Sequence, residues 1–81
     1  MLTREDLLAE LEQSFGVDSS SIDDQSLLVT DGLLDSFSLV ELVAFIERRC
    51  GFRFAAAEVS LENLDSISRI LRFVEGKSAQ S

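Results

Sequence analysis

The chain contains no histidine, proline, tryptophan or tyrosine, and only one cysteine. Histidine is the commonest general base and the commonest metal ligand, so its absence argues against Ser–His and Cys–His nucleophiles. Because Cys50 is alone, an internal disulfide and a cysteine zinc cluster are both excluded. The composition therefore predicts no catalytic residues and no metal site, and it favours a binding or carrying role.

Basic residues are also few. The 81 residues include 7 Lys and Arg against 15 Asp and Glu, which gives a formal net charge of −8. This charge repels phosphate backbones, so we expect no nucleic-acid partner. The same charge favours partners that carry basic patches. No apolar run approaches the roughly 20 residues of a membrane span, and the first residues do not resemble a secretory signal. We therefore expect a cytoplasmic protein that does not bind membranes.

The first half of the chain predicts one helix and a long connection. Thr3, with an acid three residues later, begins the helix, and Gly16 ends it. Residues 17–35 then mix turn-forming Asp and Ser with apolar side chains that show no sustained alternation. We interpret this segment as an ordered loop, and a short strand or helix near residues 26–29 is the alternative. Its expected anchors on the core are Ile22, Leu27, Leu28, Val29, Leu33 and Leu34.

The second helix has the clearest pattern. Asp35 suits its N-cap, Ser36 its first helical position and Gly51 its end. One face follows the helical spacing of core positions, with Leu39, Leu42, Val43 and Ile46. Other faces carry Phe37, Val40, Glu41, Ala44 and Glu47, which places an exposed apolar strip beside acids.

The rest of the chain predicts one or two irregular helical turns within residues 55–64 and a last helix from Asp65 or Ser66 to about Gly76. Asp65 and Ser66 together are interpreted as a plain helix cap. The fold is thus expected to be all-α, a small four-helix bundle of three main helices plus a short third helix, with a long ordered loop between helices 1 and 2. One domain is predicted over residues 1–76, followed by a flexible C-terminal tail at residues 77–81.

The segment GLLDS at residues 32–36, followed by LVEL at residues 39–42, carries the chemistry. It places the Ser36 hydroxyl at a helix start, where free N–H groups and the positive end of the helix dipole tolerate an anion. These residues resemble the attachment motif of acyl and peptidyl carrier proteins. The resemblance extends over the layout of residues 3–74, and ENLDSI at residues 62–67 is similar to the stretch that opens the family's last helix.

The resemblance implies that Ser36 receives a 4′-phosphopantetheine arm from coenzyme A, and that the arm holds an acyl or aminoacyl group as a thioester. Asp35 belongs to the same motif; it either caps the helix alone or also meets a cation on the phosphopantetheinyl transferase. The other implied partners are an acyl- or aminoacyl-loading enzyme and a downstream synthase or transferase, and such carriers are usually monomers. Partners dock along the second helix in this family, which implies a contact set of Phe37, Val40, Glu41, Ala44 and Glu47.

Two departures from the family pattern refine this expectation. Phe37 is bulkier than the Leu or Met that most often follows the modified serine, which narrows the choice of partners. Arg48 and Arg49 interrupt the acidic second helix, which favours polyketide, nonribosomal peptide or other specialised biosynthesis over a housekeeping fatty-acid role. Two further functions stay open: an unmodified acidic helical adaptor that recruits a basic partner, and a regulatory domain phosphorylated on Ser36.

Overall fold

Four α-helices form the fold of this computed structural model, which describes residues 2–79 of the chain. They are α1 (Arg4–Phe15), α2 (Ser36–Cys50), α3 (Leu61–Leu64) and α4 (Ile67–Ala79), with short 3₁₀ turns at Ser19–Ser21 and Ala56–Glu58. The predicted all-α bundle, with a short third helix and a long loop before α2, is confirmed. None of the helices in the described part of the chain combines the length and apolar content needed to cross a bilayer.

The ends of α1 and α2 follow from local capping chemistry. Thr3 and Asp6 form a reciprocal capping box, because each side chain accepts a hydrogen bond from the other's backbone N–H. Gly16 and Gly51 end the two helices in the left-handed conformation, at φ 69° and 77°, which favours glycine. Both predicted helices therefore begin and end where the sequence pattern placed them.

The core forms where the inner faces of the helices meet the loop. On α2, Leu42 and Ile46 are fully buried, while Leu39 and Val43 are half-buried against the same cluster. The remaining core side chains come from α1, the loop, α3 and α4. They include Leu7, Leu11, Leu28, Leu34, Leu64, Ile67, Ile70 and Val74. The loop is thus packed into the fold as an ordered element.

The connection between α1 and α2 is a series of turns, with no helix or strand at residues 26–29. Of its predicted anchors, Leu28 and Leu34 are buried, at 0% and 2% exposed. The prediction that Leu33 is a further anchor is wrong, because this side chain is 42% exposed. The backbone turns at Gly32, whose φ is 84°, and the Leu34 N–H then donates to the Leu28 carbonyl at 2.8 Å. This turn directs Leu34 inward and leaves its neighbour outside.

The C-terminal helix is longer than predicted. It continues past Gly76 to Ala79, although a glycine inside a helix costs about 1 kcal/mol relative to alanine. Lys77 offsets part of this cost, since its ammonium group lies 2.9 Å from the Glu58 carboxylate and 5.9 Å from the centre of the Phe52 ring. The first residues of the tail predicted at 77–81 are therefore helical, and its last two lie outside the described residues.

Candidate functional site

Ser36 is the first residue of α2, and it is exposed. Its hydroxyl makes no hydrogen bond to any residue between 2 and 79, so no described contact competes for it. The position follows from Asp35, which has an extended backbone and ends the loop as the N-cap of α2. The arrangement presents a free primary alcohol to solvent at the positive end of a helix of 15 residues.

Asp35 caps the helix with one of its two carboxylate oxygens. Its Oδ1 accepts a hydrogen bond from the Ser38 N–H at 2.8 Å. The hydrogen bonds from Ser38 lower the pKa of the Asp35 carboxyl below its usual value, and they outweigh the opposing effect of desolvation. The group is therefore ionised at neutral pH. Capping is the role this geometry accounts for, and Oδ2 accepts no hydrogen bond from the described part of the chain.

The predicted partner-binding residues divide into an exposed group and a less exposed one. Phe37 and Val40 are 75% and 66% exposed, and Glu41 beside them is exposed as well. Spacings of three and four residues place these side chains on one side of α2, next to the turn that carries Ser36. We call this group the α2 strip, and it consists of Phe37, Val40 and Glu41.

Ala44 and Glu47 continue the same side of α2 but are half-buried. The Glu47 carboxylate accepts a hydrogen bond from the Phe54 N–H at 2.7 Å, so this acid holds the segment after α2 in place. The sequence does not predict this hydrogen bond, because no pattern around Phe54 indicates which group its N–H binds. Glu47, the last residue of the predicted contact set along α2, therefore has a structural role within the chain.

Two exposed apolar side chains were missed by sequence reasoning. Val59 and Leu61, which lie on either side of the α3 N-cap Ser60, are 38% and 47% exposed. The irregular segment 55–64 has no helical periodicity, so no sequence signal separated its outward side chains from its inward ones.

Asp65 was interpreted as half of a plain helix cap, and this is wrong. Ser66 alone caps α4, by accepting the Arg69 N–H at 3.1 Å. The carboxylate of Asp65, a residue only 2% exposed, accepts hydrogen bonds from the loop instead. Its Oδ1 accepts the Val29 and Thr30 N–H groups at 2.7 and 3.0 Å, and Oδ2 accepts the Thr30 hydroxyl. A buried carboxylate therefore joins the start of α4 to the loop that precedes Ser36.

The curated proteins similar to this chain include two carrier proteins. A D-alanyl carrier protein of Abiotrophia defectiva is 37% identical over 49 residues, which are 60% of this chain and 62% of that protein. An acyl carrier protein of Chlamydia caviae is 25% identical over 75 residues, 93% of this chain and 95% of that protein. The match to the first relative thus spans less than two thirds of its length. No protein-family model matches the chain.

Both relatives are carrier proteins by name, and the longer match extends over almost the whole chain. The helical layout agrees with the one that the resemblance implied. The chain is therefore similar to curated carrier proteins, in agreement with the resemblance carried by the GLLDS segment.

Proposed function

We propose that the chain is an acyl or aminoacyl carrier protein and that the Ser36 Oγ is the attachment point of a 4′-phosphopantetheine arm. The observation that carries the proposal is the exposed Ser36 hydroxyl, free of described partners, at the first position of α2. The names of the two relatives support a carrier role in general.

The residues around Ser36 fit a phosphodiester. The side chain is exposed, so a bulky substituent extends into solvent without displacing the core. A negative charge at a helix N-terminus is stabilised by about 0.3–1 kcal/mol. The Asp35 carboxylate is turned toward the Ser38 N–H by its capping bond, which limits its repulsion of a second anion. When bound, the arm supplies a terminal thiol that holds the cargo as a thioester.

Attachment needs a base, and among the described residues none forms a hydrogen bond with the Ser36 hydroxyl. In the transfer step, the Ser36 Oγ forms a bond to the phosphorus beside the pantetheine half of coenzyme A. The phosphoanhydride bond breaks, the nucleotide half leaves, and the hydroxyl proton passes to a base. The adjacent Asp35 is a poor candidate for that base, because its lowered pKa makes its carboxylate a weak proton acceptor. The phosphopantetheinyl transferase therefore provides the base, and this chain positions the nucleophile.

The α2 strip is the proposed docking surface for the transferase, the loading enzyme and the downstream synthase or transferase. Phe37 and Val40 provide apolar area, and the net charge of −8 steers partners with basic patches toward the chain. Ala44 and Glu47 extend the surface at its less exposed end. We propose that the protein works as a cytoplasmic monomer.

The proposed pathway is specialised biosynthesis of the polyketide, nonribosomal peptide or aminoacyl kind. Of the two arginines that interrupt α2, Arg49 forms an ion pair with Asp6 at 2.8 Å. Arg48 is exposed and makes no ion pair with the described residues, so it presents a positive charge on the helix that partners approach. Together with the bulky Phe37, this charge supports a partner set that differs from that of a fatty-acid carrier.

Intact-protein mass spectrometry tests the proposal. The purified chain is incubated with coenzyme A and a broad-specificity phosphopantetheinyl transferase, beside a known carrier as a positive control. We expect a gain of one phosphopantetheine in the wild type, its loss in Ser36→Ala, and its retention in Ser66→Ala, which alters the second Asp–Ser pair. A wild type that gains no mass while the control carrier is modified would contradict the proposal and favour the unmodified acidic adaptor.

A further inference from the structure

Asp65 is the one buried acidic residue in the part of the chain that the structure describes, and the proposed attachment chemistry does not use it. Burying a carboxylate at 2% exposure is costly unless hydrogen bonds compensate for the lost water. No cation in the described chain forms an ion pair with Asp65, and Arg69 acts on it only through a weaker charge effect. All three of its side-chain hydrogen bonds come from Val29 and Thr30. The hydrogen bonds that compensate for its burial therefore come from two neighbouring residues of the loop.

The backbone of Asp65 strengthens the same connection. Its carbonyl accepts the Leu28 N–H at 2.6 Å, so one residue binds the N–H groups of three successive loop residues. The Leu28 carbonyl in turn accepts the Leu34 N–H at 2.8 Å, and Leu34 is buried. Ser36 follows two residues later. A continuous set of contacts therefore leads from the start of α4 to the first residue of α2.

We propose that Asp65 is a positioning residue for Ser36: its buried carboxylate fixes the loop, and the fixed loop presents the hydroxyl in one geometry to the transferase. The inference rests on the proposed function, because its readout is the attachment of the arm. Without the carboxylate, the loop populates several arrangements. The transferase then binds only the competent fraction, and its apparent KM for the carrier rises in inverse proportion to that fraction.

A merely structural role for Asp65 makes a different prediction. In that case its loss lowers the stability of the chain, and the molecules that remain folded are modified with unchanged KM. Ser66→Ala provides the comparison, because it removes the α4 cap beside Asp65 without removing any bond to the loop. Asp18→Asn is a second control, since this exposed carboxylate accepts the N–H and hydroxyl of Ser20 at another part of the loop.

The test uses steady-state kinetics of arm transfer with the full chain as the varied substrate, at a temperature where melting curves show every variant folded. The positioning variants are Asp65→Ala, which removes all three side-chain acceptor contacts, and Asp65→Asn, which keeps the shape and one acceptor oxygen. Thr30→Val removes only the hydroxyl donor. Amide hydrogen exchange of Val29 and Thr30 reports the loop itself.

We expect Asp65→Ala to raise the KM about tenfold with little change in kcat, as for a competent fraction of about one tenth. Asp65→Asn and Thr30→Val should give smaller increases, while both controls should stay within about twofold of the wild type. The Val29 and Thr30 amides should exchange faster in Asp65→Ala. If Asp65→Ala does not fold and Asp65→Asn does, the inference is tested by comparing the KM of Asp65→Asn with that of Ser66→Ala. A higher KM for Asp65→Asn supports the inference, and an equal KM overturns it.

Unchanged KM in a folded Asp65 variant would overturn the inference while leaving the proposed function intact. An equal increase in Ser66→Ala would also overturn it, because a general loss of stability would then account for the effect. A wild type that accepts no arm would overturn the proposed function together with this inference, and it is recognised before any variant is measured.

Discussion

Replacing Phe37 by alanine separates the energetics of docking from those of folding. Phe37 is 75% exposed, so only about a quarter of its surface is covered by the rest of the chain. Complete burial of a phenylalanine side chain contributes about 1.5–3 kcal/mol, which leaves roughly 0.4–0.8 kcal/mol at this position. Alanine is a better helix former by a few tenths of a kcal/mol, which offsets much of that loss. The free energy of unfolding should therefore fall by less than about 0.5 kcal/mol.

The effect on partners should be much larger. An aromatic side chain at the centre of an interface typically contributes about 2 kcal/mol or more, which corresponds to roughly a 30-fold change in an equilibrium constant. We expect Phe37→Ala to raise the KM of the transferase or loading enzyme for the carrier by about that factor. Steady-state kinetics and urea unfolding of the same preparation measure the two quantities.

Phe73→Ala is the matched control for this variant. Phe73 lies on α4, stacks on Phe54 with ring centroids 5.0 Å apart and packs against the core. Its truncation should cost about 2–4 kcal/mol of stability and leave the KM near the wild-type value while the protein is folded. Phe37→Ala with an unchanged KM, or with a loss of stability like that of the control, would refute the docking argument.

Three further outcomes follow from the core, the buried acid and the end of α4. Leu42→Ala should lower the free energy of unfolding by about 2–5 kcal/mol in urea titrations, since Leu42 is fully buried; a change under about 1 kcal/mol would contradict its place in the core. At Asp65, burial raises the pKa, but the hydrogen bonds from Thr30 and Val29 outweigh it and leave the pKa lowered. A lowered folded-state pKa stabilises the fold above the unfolded pKa, and this contribution is lost as the pH falls through the folded value. The stability difference between wild type and Asp65→Asn should therefore shrink below about pH 4, and a constant difference down to pH 2 would be inconsistent with this assignment. Lys77→Ala should reduce overall stability by less than about 1 kcal/mol but increase amide exchange at the end of α4, and Arg72→Ala, an exposed residue of the same helix, should not.

Sequence reasoning succeeded where the determining interactions are local. The ends of α1 and α2 depend on side chains within three residues of the helix terminus, as in the capping bond from Ser38 to Asp35. Glycines in the left-handed conformation mark both C-terminal ends. The position of Ser36 at a helix start is part of the same local pattern. These features follow from neighbouring residues and need no knowledge of the tertiary structure.

The features that sequence reasoning missed depend on contacts between distant parts of the chain. Asp65 and Thr30 are 35 residues apart, and the pair Asp65–Ser66 looks like any helix cap until the loop is placed against it. Leu33 looks like the other apolar anchors of the loop, and only the turn at Gly32 shows that it faces outward. The half-buried state of Glu47 likewise depends on where the segment after α2 returns.

The central claim, that Ser36 carries the arm, is tested most directly by locating the modification within the protein. Trypsin cleaves after Arg4 and Arg48 and so separates peptide 5–48, which contains Ser36, from the peptide that contains Ser66. We expect fragmentation of the modified protein to place one phosphopantetheine on peptide 5–48, at Ser36. Its appearance at any other serine, or a wild-type chain that stays unmodified beside a modified control carrier, would contradict the account.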